Sequence, residues 1–223
     1  MVPITDSKRS QFAKWAKEFE TTYLLEPVGQ RHTSAYATER DSVAKYWDEA
    51  KAAKKAEKDI TDLVLYKLLP YSNTRHNREA GYRISVTPAI TRDIKKWFEN
   101  AGWQTPQNWP KVALAIYDLI YSFVERGDWA SLERFERNAA LSRGIRAGVI
   151  TPTLHCLRPE FRIINSKTID TINLLLGQQA IGRDLINYKR YLEVIDQALG
   201  ELGITLLLDR DVFDAFCHWM CSK

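Results

Sequence analysis

Apolar side chains recur at helical spacing along most of the chain. Between residues 112 and 123, and again between 185 and 202, they stand three and four positions apart. Such periodicity is typical of helices that bury one face. Gly127 and Gly203 directly follow these two stripes, and a glycine just past the last periodic residue marks a helix end. The pattern predicts an all-α protein with a compact multi-helical domain.

The amino-terminal pattern predicts two helices. The first covers about residues 7–25, where Pro27 and Gly29 are expected to end it, and the second covers about residues 34–58. The apolar positions of the second helix thin out into a polar but strongly helix-forming segment. We therefore expect residues 1–58 to form a helical arm or subdomain, and residues 59–223 to form the helical core.

Proline positions divide the middle of the chain. A buried helix before Pro70 is expected to stop there, because proline cannot continue a helix. Thr87-Pro88 and Thr105-Pro106 have the order of a cap followed by proline, which predicts helices that begin there, the first ending at Gly102. Apart from these helices, only residues 83–86 and 204–208 have a strand-like pattern.

Two segments of the chain are basic. Residues 67–96 carry seven basic and two acidic side chains, and residues 126–167 carry eight and four. A positive face of this kind attracts a polyanion, although a charged run is also typical of an ordinary solvated surface. The first segment contains the long connection 70–88, in which arginines alternate with tyrosines. This mixture suits phosphate contact and base stacking, or else a polar surface loop whose tyrosines pack underneath it.

The stretch 141–177 is the most distinctive part of the chain. It contains Gly144 and Gly148, then an extended run, and then Asn165-Ser166-Lys167 at the start of a helix that Gly177 ends. Either Asn165 or Ser166 can be the N-cap of this helix. The positive end of a helix attracts anions, so this cap is a candidate binding site; the alternative is that it only starts a core helix. Because aspartate caps helices as well as asparagine does, we expect Asn165→Asp to leave stability nearly unchanged.

Composition excludes several classes of protein. Hydrophobic residues make up 45% and charged residues 27%, which is a globular balance. No apolar run is long enough for a membrane span, and the first residues lack the apolar core of a signal peptide. The three cysteines suit a reducing cytoplasm, and we expect a cytoplasmic location. Cys217, His218 and Cys221 lack a second cluster at zinc-site spacing, so we expect no metal and interpret both cysteines as small apolar residues.

The sequence also lacks the common catalytic motifs. It contains no phosphate-binding loop, no dinucleotide fingerprint, no zinc-protease motif and no nucleophile elbow. We therefore expect no nucleotide hydrolysis and no cofactor.

Two segments carry a resemblance to a known family. They read LVLYKLLPYSNTRHNREAGYRISVTPAITRDIKKWFENAGW and GVITPTLHCLRPEFRIINSKTIDTINLLLG. Over roughly residues 60–200 the chain resembles the helical N-terminal region of McrB-like AAA+ proteins, which belong to modification-dependent restriction systems. The resemblance implies a module that reads double-stranded, modified DNA, together with a AAA+ GTPase motor and a nuclease subunit as partners. The chain ends inside an apparent helix at Lys223, so a longer natural chain is expected.

A second resemblance is to helix-hairpin-helix DNA glycosylases. The segment from Gly144 to Gly148 resembles their hairpin, although it lacks the usual Gly-x-Gly spacing, and residues 161–166 resemble the approach to their catalytic aspartate. Asn165 stands where that aspartate is expected. Because an amide cannot act as a base, the departure argues against glycosylase chemistry but remains compatible with reading an extruded base.

The sequence therefore predicts a non-catalytic DNA-binding module. The alternatives are a glycosylase-like repair enzyme and a helical protein-interaction scaffold. We expect no membrane contact. The residues expected to contact nucleic acid are Arg75, His76, Arg78, Tyr82, Arg83, Arg143, Arg146, Asn165, Ser166 and Lys167.

Overall fold

Two amino-terminal helices meet at a tight corner. Helix α1 (Asp6–Thr21) begins at Thr5, whose hydroxyl caps it, and a 3₁₀ turn (Tyr23–Leu25) leads into α2 (Pro27–Lys55). Pro27 and Gly29 therefore open the second helix and do not simply end the first. Proline suits the first helical position because its missing N–H would have no partner there. The second helix consequently begins earlier than the sequence pattern predicted.

The computed structural model describes residues 4–91 and 106–223. After α2 comes a buried π-helical segment (Leu63–Leu68), which ends just before Pro70, and then the short helix α3 (Arg75–Glu79). The chain next runs through residues 82–91 without a helix, bends at residues 86 and 87, and pairs with Tyr71 at both Ile84 and Ile90. Residues 83–86 therefore contribute an isolated bridge and not the strand that their pattern suggested. The helix predicted to begin at Pro88 is thus wrong at its start, and its remainder lies outside the described residues.

The second described range opens with four helices. A 3₁₀ turn (Pro106–Asn108) leads into them, and they are α4 (Trp109–Arg126), α5 (Ala130–Arg137), α6 (Ala139–Ser142) and α7 (Ala147–Leu157). Gly127 ends α4 in the left-handed conformation, with φ 66°, as its position in the sequence predicted. Helix α7 contains Pro152 and is buried along almost its whole length.

The last three helices complete the fold. They are α8 (Ser166–Leu176), α9 (Tyr188–Leu202) and α10 (Arg210–Met220). Gly177 and Gly203 end α8 and α9 with positive φ, as predicted. Residues Thr205–Leu208 form a 3₁₀ turn and not the strand that their apolar run suggested.

One apolar core joins the described helices. Phe12 and Phe19 of α1 and Val43 and Trp47 of α2 belong to the same buried cluster as the side chains of α4 and α7–α10. The protein is all-α and compact, as predicted; the division at residue 58 stays a prediction. Among the described residues, no helix combines the length and apolar character needed to cross a bilayer.

Candidate nucleic-acid interface

A cleft of about 390 Å³ opens at the amino end of α8. One wall consists of the start of α7, the extended run that ends at Ile164, and the first turn of α8. A second wall consists of residues from the segment 88–91. Apolar side chains form most of both walls, and two arginines lie among the lining residues. The lining residues are Pro88, Ala89, Thr91, Arg146, Gly148, Val149, Ile164, Asn165, Ser166, Ile169 and Arg183.

Asn165 is the N-cap of α8, and Ser166, the other residue suited to that role in the sequence, is the first residue of the helix. Its backbone is extended, and its side-chain oxygen accepts hydrogen bonds from the amides of Lys167 at 2.7 Å and Thr168 at 3.0 Å. Its side-chain nitrogen donates to Asp214 Oδ1 at 2.9 Å. Both polar atoms of Asn165 are therefore engaged within the protein. The side chain of Asn165 would therefore offer a ligand in the cleft mainly van der Waals contact.

Asp214 is the residue that sequence reasoning missed most clearly. It lies on α10 directly behind Asn165 and is only 2% exposed. This contact contradicts the expectation that Asn165→Asp leaves stability nearly unchanged, since the change would place two carboxylates within hydrogen-bond distance of each other. The signal was a lone aspartate in the apolar run VFDAF, because a buried carboxylate requires donors from elsewhere in the fold.

The two arginines of the cleft differ in their surroundings. Arg146 is 59% exposed and donates to Glu136 Oε1 at 3.0 Å. Glu136 also accepts from the amides of Leu185 and Ile186, so the loop that contains Arg183 is held next to Arg146. Arg183 is exposed, and its side chain has no hydrogen bond or ion pair with another described residue. Sequence reasoning did not select Arg183, because only the folded chain brings its loop to α7.

Three further predicted residues lie near this cleft. Ser166 is exposed and belongs to its lining, and Lys167 is half-buried in the first turn of α8. Arg143 is exposed and precedes Gly144, which has a φ of 80°. The amide of Ala147 then donates to the carbonyl of Arg183 at 2.9 Å and fixes the start of α7. The structure thus brings the predicted residues of the stretch 141–177 to one region.

The predicted residues of α3 and the segment after it are placed differently. Arg75 donates to Glu79 at 2.7 Å, and Arg78 donates to Asn73; both arginines and His76 are exposed. None of the three lines the cleft. Tyr82 is half-buried, and its ring centroid lies 4.8 Å from that of Tyr66 and 4.7 Å from that of Tyr71. Its ring thus packs on two other tyrosines, and its contact with a base stays a prediction.

Arg83 is a structural residue. It is 5% exposed, forms an ion pair with the buried Glu39 of α2, and donates to the carbonyl of Leu68 at 2.6 Å. The expectation that Arg83 contacts nucleic acid is wrong, since phosphate could reach this guanidinium only if the buried ion pair opened. Removal of one partner would leave the other charge buried and unpaired, which is a costly state.

The two carboxyl-terminal cysteines differ in their surroundings. Cys217 is fully buried, and burial raises the pKa of its thiol well above the usual value. Cys221 lies just after α10 and is exposed, contrary to its interpretation as a packed apolar residue. In the two described ranges, no group of three or more histidine, cysteine, aspartate or glutamate side chains could hold a metal ion.

Comparisons with other proteins give no family. No protein-family model, curated protein or solved structure matches this chain.

Proposed function

We propose that this chain is a non-catalytic DNA-binding module that reads modified DNA for a McrB-like restriction system. The observation that carries the proposal is the cleft at the amino end of α8. It has apolar walls, the positive end of a helix, and Arg146 and Arg183 among its lining residues. The resemblance of residues 60–200 to McrB-like proteins supplies the biological setting, including the GTPase motor and the nuclease as partners.

The cleft suits one extruded nucleotide. Its volume of about 390 Å³ falls within the range of small-ligand sites, roughly 300–1,000 Å³. A base removed from the stack is usually held between apolar or aromatic side chains, while arginines bind the adjoining phosphates. Ile169 on one side and Pro88 on the other would contact the faces of the base. Arg146 and Arg183 would then hold the backbone.

The surroundings of Asn165 favour binding over catalysis. A glycosylase requires a carboxylate exposed to the extruded nucleotide. Here the cap residue is an amide, and the nearest carboxylate on the α10 side, Asp214, lies behind it and accepts its hydrogen bond. A module of this kind would recognise a base and leave chemistry to a partner.

The test is binding to plain, methylated and hydroxymethylated duplexes over a salt series. We expect salt-dependent binding and tighter binding to one modified duplex than to the plain one. Replacement of Arg146 and Arg183 by alanine should reduce the slope of log affinity against log salt by about one unit for each lost phosphate contact.

Two matched pairs of variants serve as controls. Replacement of Arg75 and Arg78 by alanine tests whether α3 also contacts DNA. Replacement of Lys14 and Lys17, which are exposed on α1, removes the same charge elsewhere on the surface. If the α1 pair reduces the slope as much as the cleft pair does, binding is a non-specific effect of net charge and the cleft is not the interface.

A further inference from the structure

We infer that Asp214 is the positioning residue of the cleft and sets the separation of its two walls. The identity of the cleft's ligand, an extruded nucleobase, rests on the proposed function above. The spacing role itself rests only on contacts within the protein.

The carboxylate of Asp214 accepts hydrogen bonds from three separate parts of the fold. Asp214 Oδ2 accepts hydrogen bonds from the hydroxyls of Tyr36 and Thr87, each at 2.6 Å. Its Oδ1 accepts from Asn165 Nδ2 at 2.9 Å. Tyr36 belongs to α2, Thr87 to the segment 82–91, and Asn165 to the start of α8. A single side chain of α10 therefore connects elements that are far apart in sequence.

Two of these donors lie in or next to the two walls of the cleft. Asn165 is part of one wall, and Thr87 directly precedes the wall formed by residues 88–91. Two hydrogen bonds to the same carboxylate thus link the walls directly. Since Asp214 is only 2% exposed, water does not compete for these bonds.

The chemistry of the site requires a carboxylate and not an amide. Three donors converge on Asp214, and an ionised carboxylate is a pure acceptor that can satisfy all three. Burial and the neighbouring charge of Asp214 raise the pKa of Tyr36 well above its usual value, so that this hydroxyl remains a donor. An asparagine at position 214 would direct its own N–H₂ group toward at least one of the donors and leave it unpaired.

The segment 82–91, including the wall, also has hydrogen bonds to the core. Ile90 donates to the carbonyl of Pro70 at 3.0 Å, and Ser85 donates to the carbonyl of Tyr71 at 2.9 Å. These bonds do not join the segment to α8. Loss of the Thr87 bond should therefore let the bonds of the wall open more often without unfolding the whole segment.

The sharpest variant is Thr87→Val, which keeps the size and branching of the side chain and removes only the hydroxyl. Asp214→Asn is the second variant. The control is Tyr188→Phe, which also removes one buried hydroxyl, one that donates to the carbonyl of Arg162 at 2.7 Å. Two properties are measured for each full-length protein: amide hydrogen exchange without DNA, and the ratio of affinities for modified and plain duplexes.

Hydrogen exchange tests the positioning role without reference to DNA. In Thr87→Val we expect exchange at Ala89, Ile90, Lys167 and Thr168 to accelerate by about tenfold, as the loss of one buried hydrogen bond would allow. In Tyr188→Phe these four amides should keep the wild-type rates relative to the rest of the chain. Unchanged rates at these amides in a folded Thr87→Val protein would overturn the inference.

The affinity ratio tests the consequence for recognition. We expect the control Tyr188→Phe to keep the wild-type affinities for both duplexes. In Thr87→Val and Asp214→Asn the preference for the modified duplex should fall by about tenfold. Faster exchange with an unchanged preference would overturn the claim that wall spacing sets selectivity. Faster exchange in a protein that binds no DNA would instead reject the proposed function and leave the positioning role supported.

Discussion

Asn165 and Asp214 form a donor–acceptor pair whose two members can be exchanged. Asn165→Asp alone would place two carboxylates opposite each other, where the wild-type donor and acceptor atoms are 2.9 Å apart. Asp214→Asn alone would place two amide N–H₂ groups opposite each other. The double variant restores a donor at 214 and an acceptor at 165, while the cap of α8 and the acceptor for Tyr36 and Thr87 are both kept. We expect each single variant to lose about 2–4 kcal/mol in the free energy of unfolding, and the double variant to regain most of it.

Urea unfolding of the four proteins measures this coupling. A double-mutant cycle with an interaction energy of about 2 kcal/mol or more would support a direct hydrogen bond between the two side chains. Additive losses would contradict it. The double variant also places a carboxylate at the cap of α8. An assay for the release of bases from damaged duplexes would show whether a carboxylate at this position alone confers glycosylase activity.

At the scale of single elements, two glycines inside helices should respond oppositely to alanine. At Gly29 of α2, an added Cβ would lie 1.9 Å from the carbonyl oxygen of Tyr23. This oxygen belongs to the backbone and cannot move aside. In Gly200 of α9, nothing lies within 4 Å of an added Cβ. We expect Gly29→Ala to destabilise the protein by at least about 2 kcal/mol, and Gly200→Ala to stabilise it by about 0.5–1 kcal/mol.

Thermal unfolding of both variants provides the measurement. Helix propensity alone favours alanine at both positions, so the opposite signs would be due to the close approach of α1 and α2 at their corner. Stabilisation by Gly29→Ala would mean that the corner is looser than this structure has it.

Local signals predicted most of the described helices. Asn165 and Gly177 mark the two ends of α8, and Gly127 and Gly203 mark the ends of α4 and α9, because capping depends on residues adjacent in sequence. The beginning of α2 was missed because Pro27 can end one helix or open the next. The start of the helix predicted at Pro88 was wrong because residues 84 and 90 pair with Tyr71, and this pairing forms only when the chain folds.

The candidate site was predicted only in part, for the same reason. The cap at Asn165 is a local feature, and the sequence placed it correctly. Arg183 and Asp214 approach the cap only after α7–α10 have packed, so no spacing rule joins them to it. Arg83 gave the opposite error: an arginine in a polar connection is usually exposed, but this one meets Glu39, which lies 44 positions earlier.

At the scale of the whole molecule, contacts cross the boundary at residue 58 in several places. Phe19 of α1 lies 5.4 Å, between ring centroids, from Phe216 of α10. Arg40 forms two hydrogen bonds to Asp211 at 2.8 and 2.9 Å, and Glu39 is the partner of Arg83. Tyr36, which donates to Asp214, adds a third polar link. Residues 1–58 therefore complete both the apolar core and the charge pairing of the remainder.

From these contacts we expect the chain to unfold as one cooperative unit, and the fragment 59–223 to fail to fold alone. Without residues 1–58, Arg83 and Asp211 would lose charged partners, Asp214 would lose a donor, and the faces of α7 and α10 that pack on α2 would be exposed to water. Each buried charge left unpaired costs roughly 3–5 kcal/mol, and typical domains are stable by only about 5–15 kcal/mol in total. Calorimetry of the full chain should give one transition that coincides with the loss of helical circular dichroism. Two separate transitions, or a fragment 59–223 with native-like melting, would instead establish the first 58 residues as an independent subdomain.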